Sequence, residues 1–155
     1  MNKEGRKMKE ITKEDILNDV KENNIALKYA LKYVPDVVTD DLLKEIVHVS
    51  KFAIRYVPKD KITEEMIKDV IRFKDPRCLN FIPKDLLTDE IDKMIVTTFT
   101  YYGLKHYFIH FKERLTEENV KIAMSNCPKK HREYLKQYLP FSFRTDEILD
   151  IVENG

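Results

Sequence analysis

The chain has 155 residues, 43% of them hydrophobic and 35% charged, with only three glycines and six prolines. That length can bury a core, and abundant Lys, Glu, Ile and Leu with so little Gly favours helix and predicts an all-α fold. The charges nearly balance, 28 basic against 27 acidic, which argues against a strong global field toward nucleic acid or an anionic membrane, and no apolar run approaches the ~18 residues of a membrane span.

At the start, residues 1–9 are charged and lack the apolar segment of a signal peptide. The expectation is a flexible tail ahead of one helical repeat domain over 10–155, in a cytoplasmic protein. Cys78 and Cys127 match no redox or zinc-ribbon spacing and are expected as free thiols in a reducing compartment.

From Ile11 onward the chain repeats itself. A hydrophobic residue followed by Thr opens ITKEDIL, VTDDLLKEIV, ITEEMIKDVI, LTDEIDKMIV, LTEENVKIAM and FRTDEILDIV. The threonines fall at 12, 39, 63, 88, 116 and 145, in steps of 27, 24, 25, 28 and 29. Thr before acidic residues is a helix N-cap: the hydroxyl accepts from an orphan N–H, and the carboxylates complement the dipole. Beyond Thr39 and Thr63, the apolar residues Leu42, Leu43, Ile46 and Val47, and Met66, Ile67, Val70 and Ile71, trace one helical stripe.

A second unit alternates with the first: ALKYVP at 30–35, AIRYVP at 53–58 and CLNFIP at 78–83. Ala30, Ala53 and Cys78 share a small position suited to close helix approach. Leu31, Ile54 and Leu79, with Tyr33, Tyr56 and Phe81, are expected to pack, and the proline ends the helix. Neither helix of a pair can bury its stripe alone. The expected fold is therefore an α-solenoid of about five degenerate helix pairs with a terminal helix over 145–153. The acidic pairs after each Thr, such as Glu64–Glu65, recur too regularly for catalysis and read as dipole complements.

These units resemble the short two-helix repeats of an uncharacterised family seen in large DNA viruses, phages and some bacteria, closely over residues 11–96. The resemblance implies an interaction scaffold and carries no catalytic residue.

The fourth repeat departs from the template. In TTFTYYGLKHYFIHFKER, Gly103, Leu104 and Lys105 keep the frame, but His106 replaces the aromatic and Phe108 the proline. The helix is expected to run on to about Phe111. Its aromatics have two readings: core, or exposed partner anchors at Tyr101, Tyr102, Tyr107 or Phe111. The fifth repeat breaks at Cys127-Pro128 and carries Lys129, Lys130, Arg132 and Lys136. Residues 97–140 hold eight Lys or Arg against four Asp or Glu, so this segment reads as a solvated face or as a basic surface for an acidic protein or phosphate backbone.

His106-x3-His110 and Cys127-x3-His131 are the one pattern with metal-ligand spacing. No Gly-rich phosphate loop appears, and no cofactor is expected. The leading expectation is a non-enzymatic protein-binding module, with inhibition of a host defence protein by a phage or mobile-element product as its most specific form. The alternatives are a nucleic-acid-binding solenoid using the basic 129–136 segment, and a metal-binding protein using His106, His110, Cys127 and His131.

Overall fold

The structure, a computed structural model, describes residues 9–155. The tail expected over 1–9 lies outside the described residues except for Lys9, whose ammonium meets the Asp15 carboxylate at 3.3 Å. The described residues are helical, with no strand among them. They fall into two compact units, one ending at Ile62 and one spanning Thr63–Gly155.

The first unit contains α1 (Lys13–Glu22), α2 (Ala26–Tyr33) and α3 (Asp40–Val49), then a 3-10 segment Lys51–Tyr56 and a 3-10 turn Lys59–Lys61. The second begins with α4 (Glu64–Arg72), the 3-10 segments Pro76–Phe81 and Lys84–Leu86, α5 (Asp89–Thr98) and α6 (Tyr101–His110). It continues through the turn Lys112–Arg114, α7 (Glu117–Asn126), α8 (Lys129–Lys136), the turn Phe141–Phe143 and α9 (Asp146–Asn154).

All six threonines cap as their spacing predicts. Each hydroxyl accepts from the backbone N–H three residues on: Thr12 from Asp15, Thr39 from Leu42, Thr63 from Met66, Thr88 from Ile91, Thr116 from Asn119 and Thr145 from Ile148. At Thr12 the Asp15 carboxylate accepts the return bond from the Thr12 N–H at 2.9 Å, closing a capping box. Behind each cap the predicted stripe is buried: Leu42, Leu43, Ile46 and Val47 on α3, and Met66, Ile67, Val70 and Ile71 on α4.

The second element differs from expectation in two of the repeats. It is α-helical in α2, α6 and α8, but 3-10 in Lys51–Tyr56 and Pro76–Phe81. The cause is room. Ser50 is already extended as the end of α3, and Pro58 holds Val57 extended, leaving six residues between them. So short a run closes with i→i+3 bonds, Ala53 N–H to Ser50 O at 3.0 Å and Val57 N–H to Ile54 O at 3.1 Å. The three-residue period then buries Ile54 with Val57, and Leu79 with Ile82. It leaves Tyr56 and Phe81 half-buried, while Tyr33 on α2 is 67% exposed and Leu31 half-buried. The motif aromatics are therefore not the packing face they were expected to be.

Within the first unit α1 packs on α3, and α2 on Lys51–Tyr56. Within the second, the capped helices pack in succession, α4 on α5, α5 on α7 and α7 on α9. The second elements do the same, Pro76–Phe81 on α6 and α6 on α8. Small residues permit this approach: Ala30, Ala53 and Cys78 are buried. The fourth copy needs glycine, because a Cβ on Gly103 would stand 2.5 Å from the ring of buried Phe99.

Candidate interaction surface

α6 runs from Tyr101 to His110 with Phe111 as its cap residue, so the helix does continue past the point where other copies stop at proline. Its aromatics divide sharply. Tyr107 and Phe108 are fully buried, Phe111 and Phe99 nearly so, Tyr101 is half-buried and Tyr102 is 73% exposed. Tyr107 and Phe111, expected as possible partner anchors, are core residues whose rings stack on one another at 5.6 Å. The helix turns 100° per residue, and positions 103, 104, 107, 108 and 111 share the inward stripe.

Tyr107 is held by a polar group that the sequence reading missed. Its hydroxyl donates to the Asp92 carboxylate at 2.8 Å, and Arg114 grips the same carboxylate through Nε at 2.9 Å and Nη2 at 2.6 Å. Asp92 is 1% exposed. Burial, and then the bond to Asp92, push the Tyr107 hydroxyl far above the usual tyrosine range, while the Asp92 carboxylate raises Arg114. The signal was available: Asp92 stands four residues beyond cap Thr88, where the other stripes carry Leu43, Ile67 and Val120.

The basic segment divides in the same way. Arg132 is buried and is a structural residue, not a partner contact. Its guanidinium donates to the carbonyls of Cys127 at 3.0 Å, Ser125 at 3.2 Å and Ile151 at 2.9 Å. It thereby satisfies carbonyls at the end of α7 and adds a second donor to the Ile151 carbonyl of α9, which also accepts from the Gly155 N–H. Lys136 pairs with Glu133 at 2.7 Å, and Lys121 with Glu117 and Glu147. With Arg114 these account for four of the eight cations in 97–140. Lys129 and Lys130 are exposed at the start of α8.

The four candidate metal ligands do not converge. Among the described residues no group of three or more His, Cys, Asp or Glu forms a metal-binding cluster. The His106 and His110 rings lie 4.3 Å apart, but His131 lies against Tyr101 at 4.9 Å. Cys127 is buried and its Sγ points to the Pro128 carbonyl at 3.7 Å. Pro128 keeps Cys127 out of the α8 helix, so the i,i+4 geometry never forms across that pair.

What the second unit does present is an aromatic and cationic surface along α6 and α8. Tyr101 meets Tyr102 edge-on at 5.2 Å and the His131 ring at 4.9 Å. The Lys105 ammonium sits 4.9 Å from the centre of the Tyr138 ring. The Tyr138 hydroxyl first, then Tyr101 and Tyr102, hold it above the usual lysine range. Beside them a groove of ≈ 480 Å³ is lined by Ile109, Lys112, Tyr138, Pro140, Phe141 and Arg144, among others. Phe141 is 85% exposed with the Arg144 guanidinium 4.4 Å over its ring. Lys105, Tyr138 and Phe141 were not singled out from the sequence, although Tyr134, Tyr138 and Phe141 recur at helical intervals there. In the first unit, Tyr29 and Tyr33 are also exposed, four apart on α2, with Lys32 over Tyr33 at 5.1 Å. Comparison of the chain with protein-family models, with curated proteins and with solved structures finds no match in any of the three.

Proposed function

We propose that the chain is a non-enzymatic helical-repeat module of the α-solenoid kind, which binds another protein through the α6–α8 surface of its second unit. One observation carries the reading: Tyr102 exposes most of its side chain near Lys105, and Phe141 does so in the wall of a groove that Lys112 and Arg144 also line. Large stiff aromatics flanked by cations are the composition of interface hot spots, and leaving two such rings in water is unfavourable for a monomer. The successive packing of like elements within the second unit supports the repeat reading. The partner's complementary face is acidic and apolar.

Nucleic acid is the less favoured partner, since half of the cations in 97–140 are engaged within the protein. The test is affinity capture with the double variant Tyr102→Ala, Phe141→Ala, and with Tyr29→Ala, Tyr33→Ala as the matched control. A specific protein partner is expected to be lost with the first pair and kept with the second. A partner retained by the first pair overturns the assignment. Binding to single- or double-stranded nucleic acid that weakens steeply with salt transfers the surface to the phosphate-backbone reading.

A further inference from the structure

A second pocket, of ≈ 290 Å³, opens in the second unit between the Pro83 turn and α6. Its apolar walls are Leu79, Ile82, Pro83 and Phe111, and its polar lining is Asn80, Lys84, His106 and His110. None of the lining side chains is a carboxylate. The Lys84 ammonium lies 5.7 Å from the centre of the Phe111 ring, over the pocket wall. The His106 and His110 rings stand side by side at 4.3 Å. Nε2 of His106 is buried with no hydrogen-bond partner.

A buried polar atom left without a partner is unfavourable, and a small pocket lined by an ammonium, an amide and two protonatable imidazoles, with no carboxylate side chain, is complementary to an anion. We propose that this pocket binds a carboxylate carried on an apolar body of about the size of one ring or branched side chain. The carboxylate sits between Lys84 and the two imidazoles, with the Asn80 amide as a further donor, and the body rests against Leu79, Ile82 and Phe111. A divalent metal on the His106–His110 pair is the weaker fit, because a third ligand is missing and the Lys84 ammonium faces the same space. The site shares no lining residue with the α6–α8 groove and does not depend on that surface being an interface.

Proton linkage follows from the surroundings. Burial first, then His110, hold the His106 imidazole below the usual histidine range. The groups facing it are His110 on its own helix and Lys84 from the opposite turn; on the α8 side, His131 is turned to Tyr101. All are cationic or neutral. An arriving carboxylate favours protonation of the imidazoles, so binding takes up protons and strengthens as pH falls.

The experiment is an NMR titration of the full chain, following the ring C–H resonances of His106 and His110. The probes are phenylacetate, its neutral amide, and N-acetylglycylphenylalanine with a free or an amidated C-terminus. The expected result is saturable shifts with a Kd of about 1 mM or tighter for the acids. Binding several-fold tighter near pH ~5.5 than near pH ~7.5 is expected, with both amides at least about tenfold weaker. Lys84→Met, at an exposed position, should weaken the acids about tenfold and leave the rest of the spectrum in place. If the peptide acid binds at least as tightly as phenylacetate, the natural source is a chain terminus; if phenylacetate binds and the peptide does not, it is a free small acid. Equal binding of acid and amide, no saturation by about 20 mM, or a response to zinc but not to the acids overturns the assignment.

Discussion

Replacing Arg114 with Met removes the cation from Asp92 and leaves a carboxylate that is 1% exposed with one hydrogen bond, from Tyr107. Stripping one partner from a buried ion pair typically costs about 3–5 kcal/mol. The Arg114 side chain is itself 28% exposed, so water can replace part of what is lost, and the expected destabilisation is about 2–3 kcal/mol. Tyr107→Phe removes one bond to a charged acceptor and should cost about 1.5–2 kcal/mol. The informative variant is the triple, Asp92→Leu with Tyr107→Phe and Arg114→Met. It restores at position 92 the apolar type that Leu43, Ile67 and Val120 hold in their own stripes, and should fall within about 1 kcal/mol of the parent. Urea unfolding followed by circular dichroism measures all three. With a slope near 2 kcal/mol/M, Arg114→Met shifts the midpoint down by about 1–1.5 M, and the triple variant by under about 0.5 M. A triple variant as unstable as Arg114→Met alone would refute the view that the network substitutes for ordinary core packing. So would an Arg114→Met midpoint equal to the parent's.

Three other substitutions test separate features. Gly103→Ala should destabilise by about 1–2 kcal/mol even though alanine gains ~1 kcal/mol over glycine in a helix, because its Cβ would stand 2.5 Å from Phe99; a raised midpoint in thermal unfolding contradicts this. Lys74 holds a left-handed backbone, φ 62°, just past the end of α4, so Lys74→Gly should stabilise by about 0.5–1 kcal/mol in the same assay. His106 has a folded-state pKa below its unfolded value of 6.5, so the unfolded chain takes the proton first. Its contribution is complete above that pH, is lost as pH falls through it, and levels off below the folded value. His106→Gln should flatten the stability–pH curve there, and an unchanged slope would count against the buried imidazole as its source.

How far the fold was legible depended on whether a rule was local. The caps were legible because Thr needs only its own next three residues, and six of six form. The stripes behind them were legible because helical period alone selects a face. The second elements were not, since α-helix and 3-10 helix differ by how many residues fit between a preceding cap and a following proline, and that count decides whether Tyr56 or Val57 turns inward. The candidate site was legible in part. Tyr102, Lys129 and Lys130 are exposed as one reading had them, whereas Tyr107, Phe111 and Arg132 are buried. No periodicity could announce that Arg132 reaches the far ends of α7 and α9. Departures from the repeat template then separate by a physical criterion. Asp92 and Arg132 are polar groups in the core, and each is answered by protein donors or acceptors at 3.2 Å or less. Such groups complete the fold. His106 also takes a template position, that of the motif aromatic, yet its Nε2 is buried and unanswered. The same residue lines the pocket between the Pro83 turn and α6, and the proposed carboxylate is the partner that this atom would gain.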